Sequence, residues 1–427
     1  MTKQDKSEAL KALYEELPYP PREPEDERVR LVRTGLDYLP KLSHYCFSGK
    51  LCLDEPRRIL VAGGGTGDSA IYLGEQTKQS NVTIDYIDVS ERSLEIARQR
   101  ARIRGLENIT FTLGSILDVA TLFDHSFDYI NCSGVLHHLP DPDAGLTALG
   151  QALKPHGAIG VMVYAQYGRT AVYQIQDLLQ HIAGDEPLSR QVELARIVLD
   201  QLPETHWLNR SNDLHSDHVK LGDAGLADLF LNPSDRAYTV PQLHEWVRRS
   251  GLQFIDYASH KAHYQLENYI SDESLLSVTA KKTKEEQQAI AELMSGTLIK
   301  HSFYAARQLP EPVSPTKKAI PVAAQDVDVE KIARQIGAQR QGGVVQLQTH
   351  DSRLSLPVNP ISKGFFDHLN TTNTLAAMTE KISQQAVVRS MPPAWIERQV
   401  ADLCELLISV DMLYLNHFPV ATGRSAS

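Results

Sequence analysis

A short apolar run, residues 58–62 (RILVA), stops abruptly at Gly63-Gly64-Gly65-Thr66-Gly67-Asp68. A helical pattern, residues 68–75, follows at once. A strand that ends on glycines and feeds a helix builds a cradle. The glycines let backbone approach a ligand closely, and the helix start offers N–H groups with no partner inside the helix. The alternation continues along the chain. Residues 82–87 read as a strand and 90–104 as a helix with Ser90 as its N-cap. Residues 109–113, 127–131 and 158–164 read as strands, and 142–153 as a helix. This order predicts an α/β, doubly wound, mainly parallel sheet with helices on both faces.

The tract Gly65-Thr66-Gly67-Asp68-Ser69-Ala70 also satisfies the G-x-G-x-x-A dinucleotide fingerprint. The glycines alone therefore leave the cofactor open, NAD included. Asp88 closes the second strand, TIDYID. It stands about 20 residues past the turn, where a carboxylate accepts the ribose hydroxyls of an adenosine. Asp85 is a weaker rival because it lies within the strand.

Residues 127–142, FDYINCSGVLHHLPDP, resemble the fourth-strand signature of class I methyltransferases that use S-adenosylmethionine (SAM). In that family a strand runs into a "VLHH" loop, with D-P at the next helix. The glycine turn, Asp88-Val89-Ser90 and Leu153-Lys154-Pro155-His156-Gly157 match it in order and spacing, over residues 57–282. The resemblance implies a seven-stranded Rossmann-like sheet, SAM as cofactor and methyl transfer as the reaction. It implies a donor site made of Gly63, Gly65, Gly67, Asp88, Val89, Gly114, Ser115, Ile116, Asn131 and Ser133. The opening LVAGGGTG is similar to a bacterial branch that includes protein-lysine methyltransferases. That branch has a Tyr-Pro element before the core and an aromatic-Arg element after the fifth strand. Tyr19-Pro20 and residues 164–169 stand in those places here.

Three departures stand out. Most members carry an acid where Val61 stands, contacting the cofactor's amino group. Most carry another near the adenine, where Ser115 stands. The Asn-Pro-Pro-Tyr tract of nucleobase amino-group methylation is replaced by Asn131-Cys132-Ser133-Gly134. These changes bear on affinity and acceptor, not on the fold.

Other signals carry less. Tyr257-Ala258-Ser259-His260-Lys261 spells Y-x-x-x-K but falls on a predicted strand, where i and i+4 stand about 13 Å apart. His206, His215 and His218 lack a supporting ligand set, so no metal site is expected. One of His137 and His138 could serve as a base. The net charge of −10 argues against general nucleic-acid binding. The four cysteines are scattered, the N-terminus lacks an apolar run and no stretch is long enough to span a bilayer. The expectation is a cytoplasmic protein with reduced thiols.

The remaining chain divides by pattern. Residues 1–50 read as a helical lid around the elbow Leu17-Pro18-Tyr19-Pro20-Pro21. Residues 51–307 read as the methyltransferase domain, with a helical insertion at about 166–240. Within it, 241–250 reads as a helix, 251–257 and 274–281 as closing strands, and 284–307 as one long helix. Residues 308–326 read as a Pro-rich linker. Residues 327–427 read as a smaller, mainly α domain whose clearest helix is 393–415, with Ile396, Val400, Leu403, Leu407, Val410 and Leu413 near one face. SAM carries its own electrophilic methyl group, so the acceptor side needs only to place a nucleophile and exclude water. Tyr19, His137, Tyr164, Arg169 and Tyr238 are the candidates there. The acceptor, a protein or a small molecule, and the oligomeric state are not legible. A non-catalytic adenosine-binding regulator and an NAD-dependent oxidoreductase are the alternative readings.

Overall fold

The computed structural model describes residues 2–211, 214–259, 261–348 and 353–419. His260 and residues 420–427, which belong to patterns singled out above, lie outside this set.

The chain opens with α1 (Lys3–Glu16), whose start is closed by a reciprocal bond pair between Thr2 and Asp5. The elbow and a short turn lead to α2 (Leu39–Cys46). Strand–helix alternation follows: β1 (Arg57–Ala62), α3 (Asp68–Gln76), β2 (Val82–Asp88), α4 (Glu91–Arg104), β3 (Ile109–Leu113), β4 (Phe127–Ser133) and β5 (Leu153–Tyr164). The insertion then contributes helices Thr170–Ala183, Leu188–Gln201 and Gly222–Phe230. The sheet is completed by β6 (Gln253–Tyr257) and β7 (Lys300–Ala306). Its order is β3-β2-β1-β4-β5-β7-β6. Strands β1 to β5 run parallel, and β7 is antiparallel to both of its neighbours. Both faces are covered, so β1 is apolar on both sides. Ile59 and Val61 join one core, Leu60 and Ala62 the other, as the two-residue period of a strand requires.

Two predicted elements are corrected. Residues 274–281 are not a strand; the segment is a helix, Glu273–Thr279. The Asp272 side chain accepts the Leu275 N–H and caps it, and Leu275 and Val278 face solvent. The long helix expected over 284–307 ends at Ser295. Gly296 closes it with φ 62°, the left-handed conformation that favours glycine. The run that follows, KHSFYAA, is the seventh strand, buried from His301 to Ala306 and paired with both β5 and β6.

After Arg307 the chain forms β8 (Ile320–Ala323), the hairpin strands β9 (Val344–Gln348) and β10 (Arg353–Pro357), and β11 (Leu413–Asn416). Four helices lie among them, Val329–Ala338, Pro360–His368, Leu375–Ser383 and Pro393–Ser409. The helix expected over 393–415 therefore stops early. Ile396, Val400, Leu403 and Leu407 are buried on it, whereas Leu413 is buried on β11. The Pro-rich stretch also ends as strand, since β8 pairs antiparallel with β11. This C-terminal region shares one apolar cluster with the sheet. Tyr38, Leu42 and Tyr45 pack with Tyr304 on one side and with Ala319, Tyr414 and Leu415 on the other. Lys41 bonds Asp411 at 2.6 Å across the same seam. Among the described residues, no helix is long and apolar enough to cross a membrane.

Candidate active site

The strand order reverses between β1 and β4. Loops leaving the carboxyl ends of such strands diverge and open a crevice. A cavity of about 1140 Å³ lies there. A drug-sized ligand pocket spans about 300–1,000 Å³, so this one has room for two reactants side by side.

One wall consists of turns at strand ends. Gly63, Gly65, Asp88, Val89, Gly114, Ser115, Ile116, Asn131 and Ser133 all line it. Gly65 sits at φ 54°, and a Cβ there would meet the Tyr19 carbonyl oxygen at 2.7 Å. Asp88 is buried, and burial raises its carboxyl above the usual carboxylate range. One of its oxygens accepts the Gly65 N–H at 2.7 Å and the other the Ser90 N–H at 2.9 Å. The carboxylate keeps acceptor capacity for a ribose hydroxyl. Asp85 instead pairs with Arg58 and His125, away from the cavity. Ser115 accepts the Leu117 N–H at 3.2 Å, which leaves its hydroxyl proton to donate. This wall fits an adenosine that carries an amino-acid tail.

Gly67 differs from the other predicted donor-site residues. It does not line the cavity. It caps α3 at φ 104°, and a Cβ there would stand 2.8 Å from Ala97 Cβ on α4. Its service is close packing of helix on helix.

The glycine turn is clamped to the elbow. Thr66 donates to the Pro20 carbonyl at 2.7 Å, and Arg22 pairs with Asp68 at 2.6 Å. Buried Arg100 reaches Asp68 at 2.8 Å, the Thr66 carbonyl at 2.7 Å and Glu27 at 2.6 Å. From the elbow, α1 crosses over the cavity. Glu15 accepts the Glu91 N–H at the start of α4, and Lys3 pairs with Asp141 at 2.8 Å.

The opposite wall mixes α1, the end of β5 and the insertion. Tyr14 donates to Asp228 at 2.9 Å, and Tyr164 donates to the other oxygen of the same carboxylate at 3.3 Å. Burial pushes the Asp228 carboxyl up. Tyr19 donates to Asp217 at 3.3 Å. The Arg169 guanidinium lies 3.4 Å from the centre of the Tyr164 ring and pairs with buried Asp235 at 2.9 Å. Tyr19, Tyr164 and Arg169 thus line the cavity, as do Tyr14, Asp217 and Asp228, which sequence reasoning missed.

His137 and Tyr238 do not line it. Tyr238 stacks on Trp246 at 4.7 Å. His137 is fully buried between Tyr164 and His138, at ring distances of 4.0 and 4.1 Å. Neither of its ring nitrogens has a hydrogen-bond partner, and burial holds its pKa well below the ordinary imidazole value. It packs as a neutral ring. His138 does line the cavity. Its Nδ1 stands 2.8 Å from the Ser234 carbonyl oxygen. A carbonyl only accepts, so Nδ1 carries the proton and Nε2 is left with the lone pair. The remaining imidazoles serve locally: His206 caps a short helix and His215 donates to the Gly168 carbonyl. Among the described residues, no three metal-ligating side chains come together.

Comparison with known proteins places this geometry. The methyltransferase-domain family matches residues 60–159. An uncharacterized protein of Synechococcus sp. is 31% identical over 304 residues, 70% of this chain and 72% of its own length. A ubiquinone biosynthesis O-methyltransferase of Neisseria meningitidis is 31% identical over 103 residues, and the match spans 24% of this chain and 42% of that enzyme. Among solved structures, PKMT2 from Rickettsia typhi superposes with a TM-score of 0.66 at 15% identity, over 90% of this chain and 76% of that one. The shared motifs, the strand order and the cavity at its switch point converge: the chain belongs to the class I SAM-dependent methyltransferases, with SAM as its cofactor.

Proposed function

We propose that the protein transfers the methyl group of SAM to the side-chain amine of a lysine in a protein acceptor. The observation that carries this reading is the Tyr14–Asp228–Tyr164 cluster, with Tyr19 and Asp217 beside it. A lysine amine enters as a cation, because its pKa in water is about 10.4. A buried carboxylate ringed by phenols receives a cation well and a neutral hydroxyl poorly. The likeness in fold to PKMT2 of Rickettsia typhi agrees with this choice.

In this reading Gly63, Gly65, Asp88, Val89, Gly114, Ser115, Ile116, Asn131 and Ser133 hold the donor, and Gly67 keeps their turn packed on its helices. Bound there, SAM supplies an electrophilic methyl group next to a sulfonium. Asp228 and the two tyrosines orient the ammonium. His138 Nε2 would take up the proton that the ammonium has to lose before its nitrogen can serve as a nucleophile. Arg169 holds the Tyr164 ring in place. We infer a cytoplasmic setting, where the four scattered cysteines of the sequence stay reduced.

The test is incubation of the protein with labelled SAM and a lysate of its host, followed by acid hydrolysis. Label in methyl-lysine is expected. Label in lipid or small molecules, with none in protein, overturns the reading.

A further inference from the structure

Asp37 is a fully buried carboxylate on the segment between the elbow and α2. It accepts Thr34 Oγ1 at 2.5 Å and Asn131 Nδ2 at 2.8 Å, and Ser69 also donates to it. Thr34, Ser69 and Asn131 all line the donor end of the cavity, beside the glycine turn. The polarity of these bonds matters. Each group has committed a hydrogen to Asp37, so toward the cavity it presents acceptors: two hydroxyl oxygens and the Asn131 amide oxygen. The strongest influences on Asp37 are desolvation and neutral donors, with no cation among them. Burying a carboxylate without a cation costs free energy that an arriving positive ligand group recovers. The segment is also held rigidly. Tyr129 and Tyr304 both donate to the Leu36 carbonyl, and Gln76 donates to the Asp37 carbonyl at 2.8 Å.

We infer that Asp37, acting through Thr34, Ser69 and Asn131, forms the seat for the α-ammonium of SAM. It takes the place of the first-strand acid, a position that Val61 occupies in this chain. The charge comes from a segment ahead of the sheet instead of from β1 itself. Asp37 is a positioning residue here, since the three groups it orients are the ones that face the ligand.

The experiment is calorimetry on the full chain with two ligands. S-adenosylhomocysteine carries the amino-acid tail, and 5′-methylthioadenosine has the same adenosine without it. Asp37→Asn is expected to weaken S-adenosylhomocysteine by about tenfold or more, the scale of a lost charge-assisted contact, and to leave methylthioadenosine within about twofold. Equal losses for both ligands, or no loss for either, overturn the assignment. A second measurement needs no variant. Burial pushes the Asp37 carboxyl up to about 6. The groups facing it are Thr34 on its own segment, Ser69 on α3 and Tyr129 and Asn131 on β4, with Tyr72 and Tyr304 nearby. The three phenols are all raised, so none titrates with it. Protonation of Asp37 removes the negative charge, so wild-type affinity for S-adenosylhomocysteine should fall by up to about tenfold per pH unit below about pH 6. Methylthioadenosine should not share that fall. Asp88 touches the adenosine common to both ligands, so its titration cancels in the ratio. A ratio that stays flat between about pH 7.5 and pH 5 overturns the inference.

Discussion

The cavity wall that we assign to the donor takes its residues, between Val61 and Ser133, from the carboxyl ends of sheet strands and the turns that follow them. The acceptor wall takes Tyr14 from α1, Tyr164 from the end of β5 and Asp228 from a helix of the insertion. Tyr14 and Asp228 meet although 214 residues separate them. The donor wall inherits its geometry from backbone ladders that pair β1 with β2 and β4. The opposite wall depends on side-chain bonds that tie α1 and a helix of the insertion, neither of them in the ladder, to the end of β5. A constant cofactor suits the first construction. A variable acceptor suits the second, because helices and loops can change without disturbing the sheet.

The sharpest way to break this comparison is to remove what lies behind the donor wall. The segment that carries Asp37 is sandwiched between the sheet and the C-terminal region, and Tyr38, Tyr45, Tyr304, Tyr414 and Leu415 form one core. A chain ending at Arg307 is therefore expected to aggregate, because it exposes that core. Soluble expression with a cooperative melt would show that the donor half stands alone.

Gly65→Val should come next, with a loss of S-adenosylhomocysteine affinity of about 100-fold or more. A β-branched residue resists φ 54°, and its Cβ meets the Tyr19 carbonyl. Calorimetry on the folded variant checks this. Asp88→Ala should weaken the same ligand by about 1.5–3 kcal/mol, the range for hydrogen bonds to a charged group. Because its carboxylate also holds the Gly65 and Ser90 N–H groups, a lower melting temperature should accompany the loss. Unchanged affinity would leave Asp88 as a loop brace only.

Asp228→Asn probes the other wall. Methylation of the protein acceptor should fall by about tenfold or more in kcat/KM, while affinity for S-adenosylhomocysteine stays within about twofold. A loss shared by both readouts would mean that the two halves are not separable.

The smallest effect concerns His137. Burial depresses its pKa, so the unfolded chain binds the proton more readily than the folded one. Its contribution to stability is complete above the unfolded value of 6.5 and is lost as pH falls below it toward the folded value, by at most about 1.4 kcal/mol per pH unit. His44, held at about 4 by burial, adds a similar slope. His137→Phe should therefore flatten the fall of melting temperature between about pH 7 and pH 5 without removing it, and should leave methylation within a few-fold. A collapse of activity in a folded variant would place His137 in the chemistry.

Much of the sheet was legible because its signals are local. A strand stopping on Gly63 and an acid closing TIDYID are each readable in a window of a few residues. The last strand was misread for a matching reason. Residues 284–307 contain helix-like and strand-like apolar spacing in sequence, and Gly296 is the only mark between them. Without neighbours to pair with, KHSFYAA looks like the tail of a helix. Beside β5 and β6 it is a strand.

Along the glycine turn the residue types were readable, yet their separate places in the fold were not. Gly65 faces the cavity and Gly67 faces Ala97, a distinction that depends on where α4 lies. His137 and His138 are adjacent in a single tract, and only the packing of Tyr164 and the Ser234 carbonyl tells the packed ring from the one at the cavity.

The sequence by itself determined the family and the cofactor, because strand ends, glycine turns and helix caps are encoded by neighbours along the chain. Tertiary structure decided what meets across the cavity. Asp37 against Asn131, Tyr14 against Asp228 and Tyr38 against Tyr414 are partners joined by burial over long separations. Burial is a property of the whole fold. A carboxylate placed in a pattern of residues has its ordinary acidity and no assigned partner. Its charge, its partner and its purpose appear only when water is removed from around it.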